Sequence, residues 1–154
     1  MELQSHTRKS AVTRAGVDAV YTLLADVPRS VAHFPELESI TRDPGGSDRF
    51  VWRMKKLGAG PVQFQVSYAA QYRFDPELRS VGWESVTGIG NTRVSGRWII
   101  EGDGVGTKFT LDTAFCLTAP FPGFLRGTAE ALMARENDRL IGVYLENLKR
   151  TLDA

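Results

Sequence analysis

Between residues 37 and 117 apolar and polar side chains alternate with a period of two. Val62, Phe64, Val66, Tyr68, Ala70, Tyr72 and Phe74 fall on one side, and Gln63, Gln65, Ser67, Ala69, Gln71 and Arg73 on the other. Successive side chains of a strand point to opposite faces, so the run predicts a strand with one buried and one wet face. Phe50, Trp52 and Met54 against Arg53 and Lys55 repeat the pattern, as do Val81 and Trp83 against Glu84. So do Val94, Trp98 and Ile100 against Arg93, Ser95 and Arg97, and Phe109, Leu111 and Phe115 against Lys108 and Asp112. Turn-forming residues separate these runs: Pro44-Gly45-Gly46, Gly58-Ala59-Gly60-Pro61, Asp75-Pro76-Glu77, Gly88-Ile89-Gly90-Asn91 and Gly102-Asp103-Gly104. The segment therefore reads as a six-strand antiparallel meander.

The period changes to helical spacing in three places. Over residues 123–151, Leu125, Ala129, Leu132, Leu140, Val143, Tyr144 and Leu148 share one stripe. At about 1.5 Å per residue this helix runs on the order of 40 Å, enough to cross a small domain. Val17, Val20, Tyr21, Leu24 and Val27 predict a short helix, with Asp18 in its first turn and Pro28 stopping it. Asp26 is placed to cap a second short helix that buries Val31 and Phe34 and stops at Pro35. A first strand fits residues 3–13, although its alternation defines no inward face. The sum is a single α+β domain over residues 1–154: a twisted seven-strand sheet curled around a long C-terminal helix, with two short helices between strands 1 and 2 and space for a cavity inside.

Composition narrows the function classes. At 154 residues, 42% hydrophobic and 24% charged, the chain is long enough to bury a core without disulfides or metal. A net charge of +1 supplies no field for nucleic acid or an anionic membrane surface. Cys116 is the only cysteine, and His6 and His33 the only histidines, with no spacing that suits a metal. No metal or other cofactor is expected. No signal peptide or membrane-spanning run is visible, so a cytoplasmic protein without integral membrane association is expected. Nothing in the pattern assigns an oligomeric state. Gly88-Ile89-Gly90 joins two strands rather than a strand to a helix, so it fails as a dinucleotide loop.

The candidate chemistry lies on the inward faces. Glu136 interrupts the apolar helix stripe one turn from both Leu132 and Leu140. In a dry cavity it is a candidate general acid or base, or a holder of a ligand hydroxyl; the plainer expectation is a rim position or a pair with Arg53, Arg73 or Arg97. Trp52, Tyr68, Tyr72, Trp83 and Trp98 share inward parity and are candidates for binding a flat apolar ligand, with core packing as the alternative. Asn147 and Thr113 are candidates for orienting hydrogen bonds. Phe121 and Phe124 flank Pro122 on the connector and read as staples of the helix or as a lid. His33 falls near the expected cavity mouth.

The wording Val20-Tyr21-Thr22-Leu23-Leu24-Ala25-Asp26-Val27-Pro28, followed by Phe34-Pro35-Glu36-Leu37, resembles the polyketide cyclase/dehydrase and lipid-transport family. That family belongs to the START-like, helix-grip (SRPBCC) superfamily, which includes the birch-pollen allergens. Trp83-Glu84, Gly106-Thr107-Lys108-Phe109 and Leu145-Glu146-Asn147-Leu148-Lys149 carry the same likeness, which covers nearly the whole chain. The resemblance implies a cavity for a small hydrophobic molecule, used by different members to carry lipids or quinones, to cyclise polyketides or to sense hormones. Three functions follow as expectations: binding or transport of a hydrophobic or amphipathic ligand; a cyclase, aromatase or dehydratase using Glu136; and a co-chaperone-like interaction module.

Overall fold

The computed structural model describes residues 2–154. β1 (Glu2–Thr13) leads into α1 (Val17–Ala25) and α2 (Val27–Val31). The strands that follow are β2 (Leu37–Arg42), β3 (Arg49–Met54), β4 (Leu57–Ala59), β5 (Val62–Phe64), β6 (Ser67–Asp75), β7 (Ser80–Gly90), β8 (Thr92–Gly102) and β9 (Thr107–Thr118). A single 3-10 turn at Gly123–Leu125 opens α3 (Arg126–Asp153). Seven strands form one antiparallel sheet in the order β1-β9-β8-β7-β6-β3-β2, curled into a half-barrel with α3 as its long helix. This is the predicted α+β architecture.

The predicted strand over residues 62–74 is interrupted. Its first part, β5, pairs with β4 in a separate two-stranded ribbon, and only β6 joins the main sheet. Asn91 holds the break: its Nδ2 donates to Gln65 O at 2.8 Å, its Oδ1 accepts from Ser67 N at 3.1 Å, and its own N–H donates to Ser67 O at 3.0 Å. One side chain thus supplies bonds that a continuous ladder would otherwise make. The parity survives, with Val62, Phe64, Val66, Tyr68, Ala70 and Tyr72 all buried.

β1 shows why its inward face was illegible. Leu3 and Thr13 are buried at its two ends, but Ser5, Thr7 and Lys9 between them are half-buried polar residues. They face polar residues of α3. Asn137 Nδ2 donates to Ser5 Oγ at 3.2 Å and to Thr7 Oγ1 at 2.9 Å, and Lys9 Nζ meets Asp138 Oδ1 at 2.8 Å. The C-terminal end of α3 is fastened to the same strand. Asp153 Oδ1 accepts from Thr13 Oγ1 at 2.5 Å and from Arg14 N at 3.0 Å, while Oδ2 accepts from Lys149 Nζ at 2.7 Å.

α3 is turned slightly from the predicted stripe. Ala129, Leu140, Tyr144 and Leu148 are buried as expected, but so are Met133, Ile141 and Leu145, and Val143 is exposed. The stripe's axis runs through Asn137, whose polarity hides its inward orientation from a hydrophobicity pattern. Asp26 caps α2 as expected, its carboxylate accepting from Arg29 N at 3.3 Å. Among the described residues no helix is long and apolar enough to cross a membrane.

Candidate functional site

A cavity of about 100 Å³ lies between the main sheet and α3, bounded at one side by α1 and α2. Inward parity on β3, β6, β7 and β8 puts Trp52, Tyr68, Tyr72, Trp83 and Trp98 on its wall. Helical spacing brings Met133, Glu136, Asn137, Leu140, Ile141 and Tyr144 from α3 to the other side. The aromatic rings form two arms that meet at Tyr144. Phe34 lies 5.2 Å from Tyr144 and 5.9 Å from Trp52, which stacks on Tyr68 at 5.5 Å. On the other arm Trp98 lies 5.8 Å from Tyr144, Trp83 6.5 Å from Trp98, and Tyr72 5.6 Å from Trp83. Such edge-to-face and offset contacts hold large rings in fixed orientations. Gly96 makes room for this packing, since a Cβ there would sit 2.8 Å from Trp83 Cζ2 and 2.6 Å from Asp112 O.

The polar atoms of the wall are few. Tyr144 Oη shares a hydrogen bond with Ser30 Oγ at 2.7 Å, joining α3 to α2. The indole Nε1 of Trp52 is fully buried and meets no hydrogen-bond partner, the only such buried side-chain atom among the described residues. Burial pushes the phenols of Tyr68, Tyr72 and Tyr144 well above their ordinary range, so all three stay protonated and able to donate. For Tyr72 neighbouring Tyr144 adds to the rise and the Trp52 indole N–H tempers it.

Glu136 lines the cavity with its side chain 21% exposed, and its Oε2 accepts from Arg139 Nη2 at 2.9 Å. The expected strand partners are elsewhere. Arg53, Arg73 and Arg97 stand on the outer face of the sheet beside Glu38, Glu84 and Asp112, because their strand parity is opposite to that of the cavity residues. Leu132 packs against the core but is not part of the cavity wall, and Leu140 is. Asn147 lies off the wall as well; its Nδ2 donates to His33 O at 3.0 Å. The His33 ring faces Arg29 O and Ser30 O through Nδ1, at 2.9 and 3.1 Å, so Nδ1 carries the proton and Nε2 accepts from Thr151 Oγ1 at 2.7 Å. Thr113 lines the cavity while its hydroxyl donates to Ser95 O at 3.2 Å. Phe121 packs on the core, whereas Phe124 is exposed. Sequence reasoning missed Ser30, Met133, Asn137 and Ile141, and it read Tyr144 only as a stripe residue. Among the described residues no group of His, Cys, Asp or Glu is placed to hold a metal.

A curled antiparallel sheet gripping one long helix over an apolar cavity defines a START-like, helix-grip protein. The chain belongs to the polyketide cyclase / dehydrase and lipid transport family, whose model matches residues 4–153. Among solved structures it is similar to the protein TTHA0849 from Thermus thermophilus, at 23% identity and a TM-score of 0.69 over 96% of this chain and 99% of the other. It is also similar to the Zhui aromatase/cyclase from Streptomyces sp. R1128, at 19% identity and a TM-score of 0.69 over 97% and 93% of the two chains. A START superfamily protein from Mycobacterium smegmatis aligns at 12% identity and a TM-score of 0.65 over 95% and 98%. No curated protein matches the chain. Family and fold together fit a hydrophobic-ligand-binding helix-grip protein or a polyketide cyclase.

Proposed function

We propose that this protein binds one small apolar or amphipathic molecule in the cavity between the sheet and α3. The observation that carries the reading is the wall itself: rigid aromatic surface on two sides, and a buried N–H on Trp52 that no protein group among the described residues satisfies. Binding sites for small molecules combine mostly apolar lining with a few placed polar groups, and a native core ordinarily leaves no such donor unpaired.

The test is native mass spectrometry of freshly purified protein, with organic extraction of whatever is bound, beside the variant Val94→Phe. Val94 lines the cavity, so the larger side chain takes up its volume. The expected result is a bound small molecule in the parent chain and its loss from a folded Val94→Phe. Equal retention by the variant refutes the cavity as the binding site.

A second reading is catalytic, a cyclase, aromatase or dehydratase. It is favoured by the position of Glu136, the only carboxylate on the cavity wall among the described residues, with Arg139 engaging one of its oxygens. In that case Glu136→Gln binds the extracted molecule as before but no longer transforms it, because the amide cannot exchange the proton. A carrier is indifferent to the change.

A further inference from the structure

We infer that the outer face of the sheet carries an anion site, a hollow over Ala114 that takes the phosphate group of a phosphomonoester through Arg93 and Arg97. It lies on the opposite side of the sheet from the cavity and does not depend on the ligand-binding reading above.

Strand register builds the site. His6 of β1 stands opposite Ala114 of β9, and Ala114 opposite Ser95 of β8. Two residues along, the outward row is Gln4, Cys116 and Arg93; two residues the other way it is Arg8, Asp112 and Arg97. The small, exposed side chain of Ala114 leaves a gap in the middle of this grid of longer ones. An open hollow of about 530 Å³ lies there, with Gln4, His6, Arg93 and Ser95 among its walls. At about 3.4 Å per residue and 4.8 Å between strands, the Cα atoms of Arg93 and Arg97 stand about 8 Å from that of Ala114, within the reach of an extended arginine side chain. The charges of the grid are poorly matched with one another. Arg93 Nη2 meets Glu2 Oε1 only at 3.4 Å and Cys116 Sγ at 3.5 Å. Asp112 gives its Oδ1 to His6 at 2.6 Å, and Arg8 and Arg97 stand 3.6 and 3.7 Å from its Oδ2, beyond hydrogen-bond reach. By contrast Arg53, Arg79 and Arg139 meet carboxylates at 2.8, 2.6 and 2.9 Å. The side chains of Gln4 and Ser95 have no protein hydrogen-bond partner among the described residues. Three guanidiniums thus face two carboxylates around a gap, and guanidinium forks take phosphate oxygens in pairs. A phosphomonoester brings close to two charges and three acceptor oxygens. A carboxylate brings one charge and two oxygens in one plane, which serve one guanidinium fork but not two set four residues apart on one strand. Asp112 opposes the anion and holds Arg97 aside, so its charge works against the site.

The ¹⁵N-labelled full chain is titrated at about pH 7.5, where a phosphomonoester is mostly dianionic, with glycerol 3-phosphate and, at equal ionic strength, with glycerate. The amides of Ser95 and Ala114 are followed. Glycerol 3-phosphate is expected to shift both to saturation and to bind about tenfold more tightly than glycerate. Arg93→Gln and Arg97→Gln are each expected to weaken it about fivefold, the upper end for an exposed charge pair, and Asp112→Asn to strengthen it. Ala114→Leu, which fills the hollow, is expected to abolish the shifts in a chain that melts as the parent does. Once glycerol 3-phosphate saturates the site, sedimentation with phosphatidylcholine vesicles, with and without one-tenth phosphatidic acid, distinguishes the carriers. Co-sedimentation confined to phosphatidic acid assigns a lipid headgroup, and its absence a soluble phosphomonoester. Shifts that grow without saturating, glycerate binding as tightly as glycerol 3-phosphate, or Arg93→Gln binding like the parent overturns the site. Weaker binding in Asp112→Asn overturns it too, since that carboxylate would then support the hollow rather than compete with its occupant.

Discussion

The hydroxyl of Tyr144 ties down a residue that the aromatic wall depends on. It is bonded to Ser30, which is 2% exposed, so Tyr144→Phe strands a buried hydroxyl on α2. The expected loss is about 1–3 kcal/mol, the desolvation penalty of an unpaired polar group, read as a lower urea midpoint. Ser30→Ala added to Tyr144→Phe removes the stranded group and is expected to recover part of that loss. A single variant that unfolds at the parent midpoint shows the bond to be without consequence. The same burial makes a second expectation. Tyr68, Tyr72 and Tyr144 hold their protons more tightly folded than unfolded, against an ordinary value of 10.0. Stability is therefore intact below about pH 10 and declines as the pH rises past it, where only the unfolded chain ionises. The ultraviolet absorbance of phenolate, followed as the pH is raised stepwise, should show these three ionising together with loss of the fold. Gradual ionisation in a chain that stays folded contradicts their burial. At this scale the inward aromatics were legible, because each stands in a clean alternation. Asn137 was not, because a polar residue declares its orientation only through partners distant in sequence, here Ser5 and Thr7.

At the scale of elements, helix positions and strand faces were readable wherever the buried side is apolar. The exceptions share one cause: Ser5, Thr7 and Lys9 on β1 and Asn137 and Asp138 on α3 solve each other's burial through hydrogen bonds and an ion pair. Neither element shows a complete hydrophobic face alone, and the apparent helix stripe drifted toward Val143 in consequence. The split of β5 from β6 was hidden for a similar reason, since the side chain that holds it belongs to Asn91, in the turn between β7 and β8. The seam between β1 and α3 also sets an acid limit. Lys149 first, then Thr13 and the Arg14 amide, hold the Asp153 carboxyl below its usual value of 3.8. Its contribution is therefore complete above about pH 4 and declines as the pH falls further, when the unfolded chain takes up the proton more readily. Asp153→Asn should lower the melting temperature at neutral pH and narrow its difference from the parent as the solution is made strongly acidic. A difference that stays constant across that range excludes this carboxylate as the source.

For the whole molecule, the cavity's volume bears on how a ligand enters. A volume of about 100 Å³ is below the range of roughly 300–1,000 Å³ usual for drug-sized ligands, so a larger ligand is expected to push the surrounding elements apart. The main sheet is one continuous hydrogen-bonded surface, and its edge strand β1 is sewn to α3. Separating those elements would break many bonds together. The other side is more lightly held. There the segment of α2 and residues 32–36 meets α3 through Ser30 with Tyr144, Asn147 with the His33 carbonyl, and the His33 ring with Thr151. Local opening follows the weakest cooperative unit, so the expected entrance is at this latch rather than at the exposed Phe124 of the connector. His33→Ala removes the Thr151 bond without touching the cavity wall. It should speed hydrogen exchange at the amides of Ala32, residue 33 and Phe34, whose bonds close this turn onto Pro28, Ser30 and Val31, and leave β8 and β9 at the parent rate. Association of the molecule extracted from the parent chain should quicken, because the cavity wall itself is untouched. Exchange that rises equally in the strands and the latch would mean that His33 supports the fold as a whole, and the entrance would then have to be sought elsewhere.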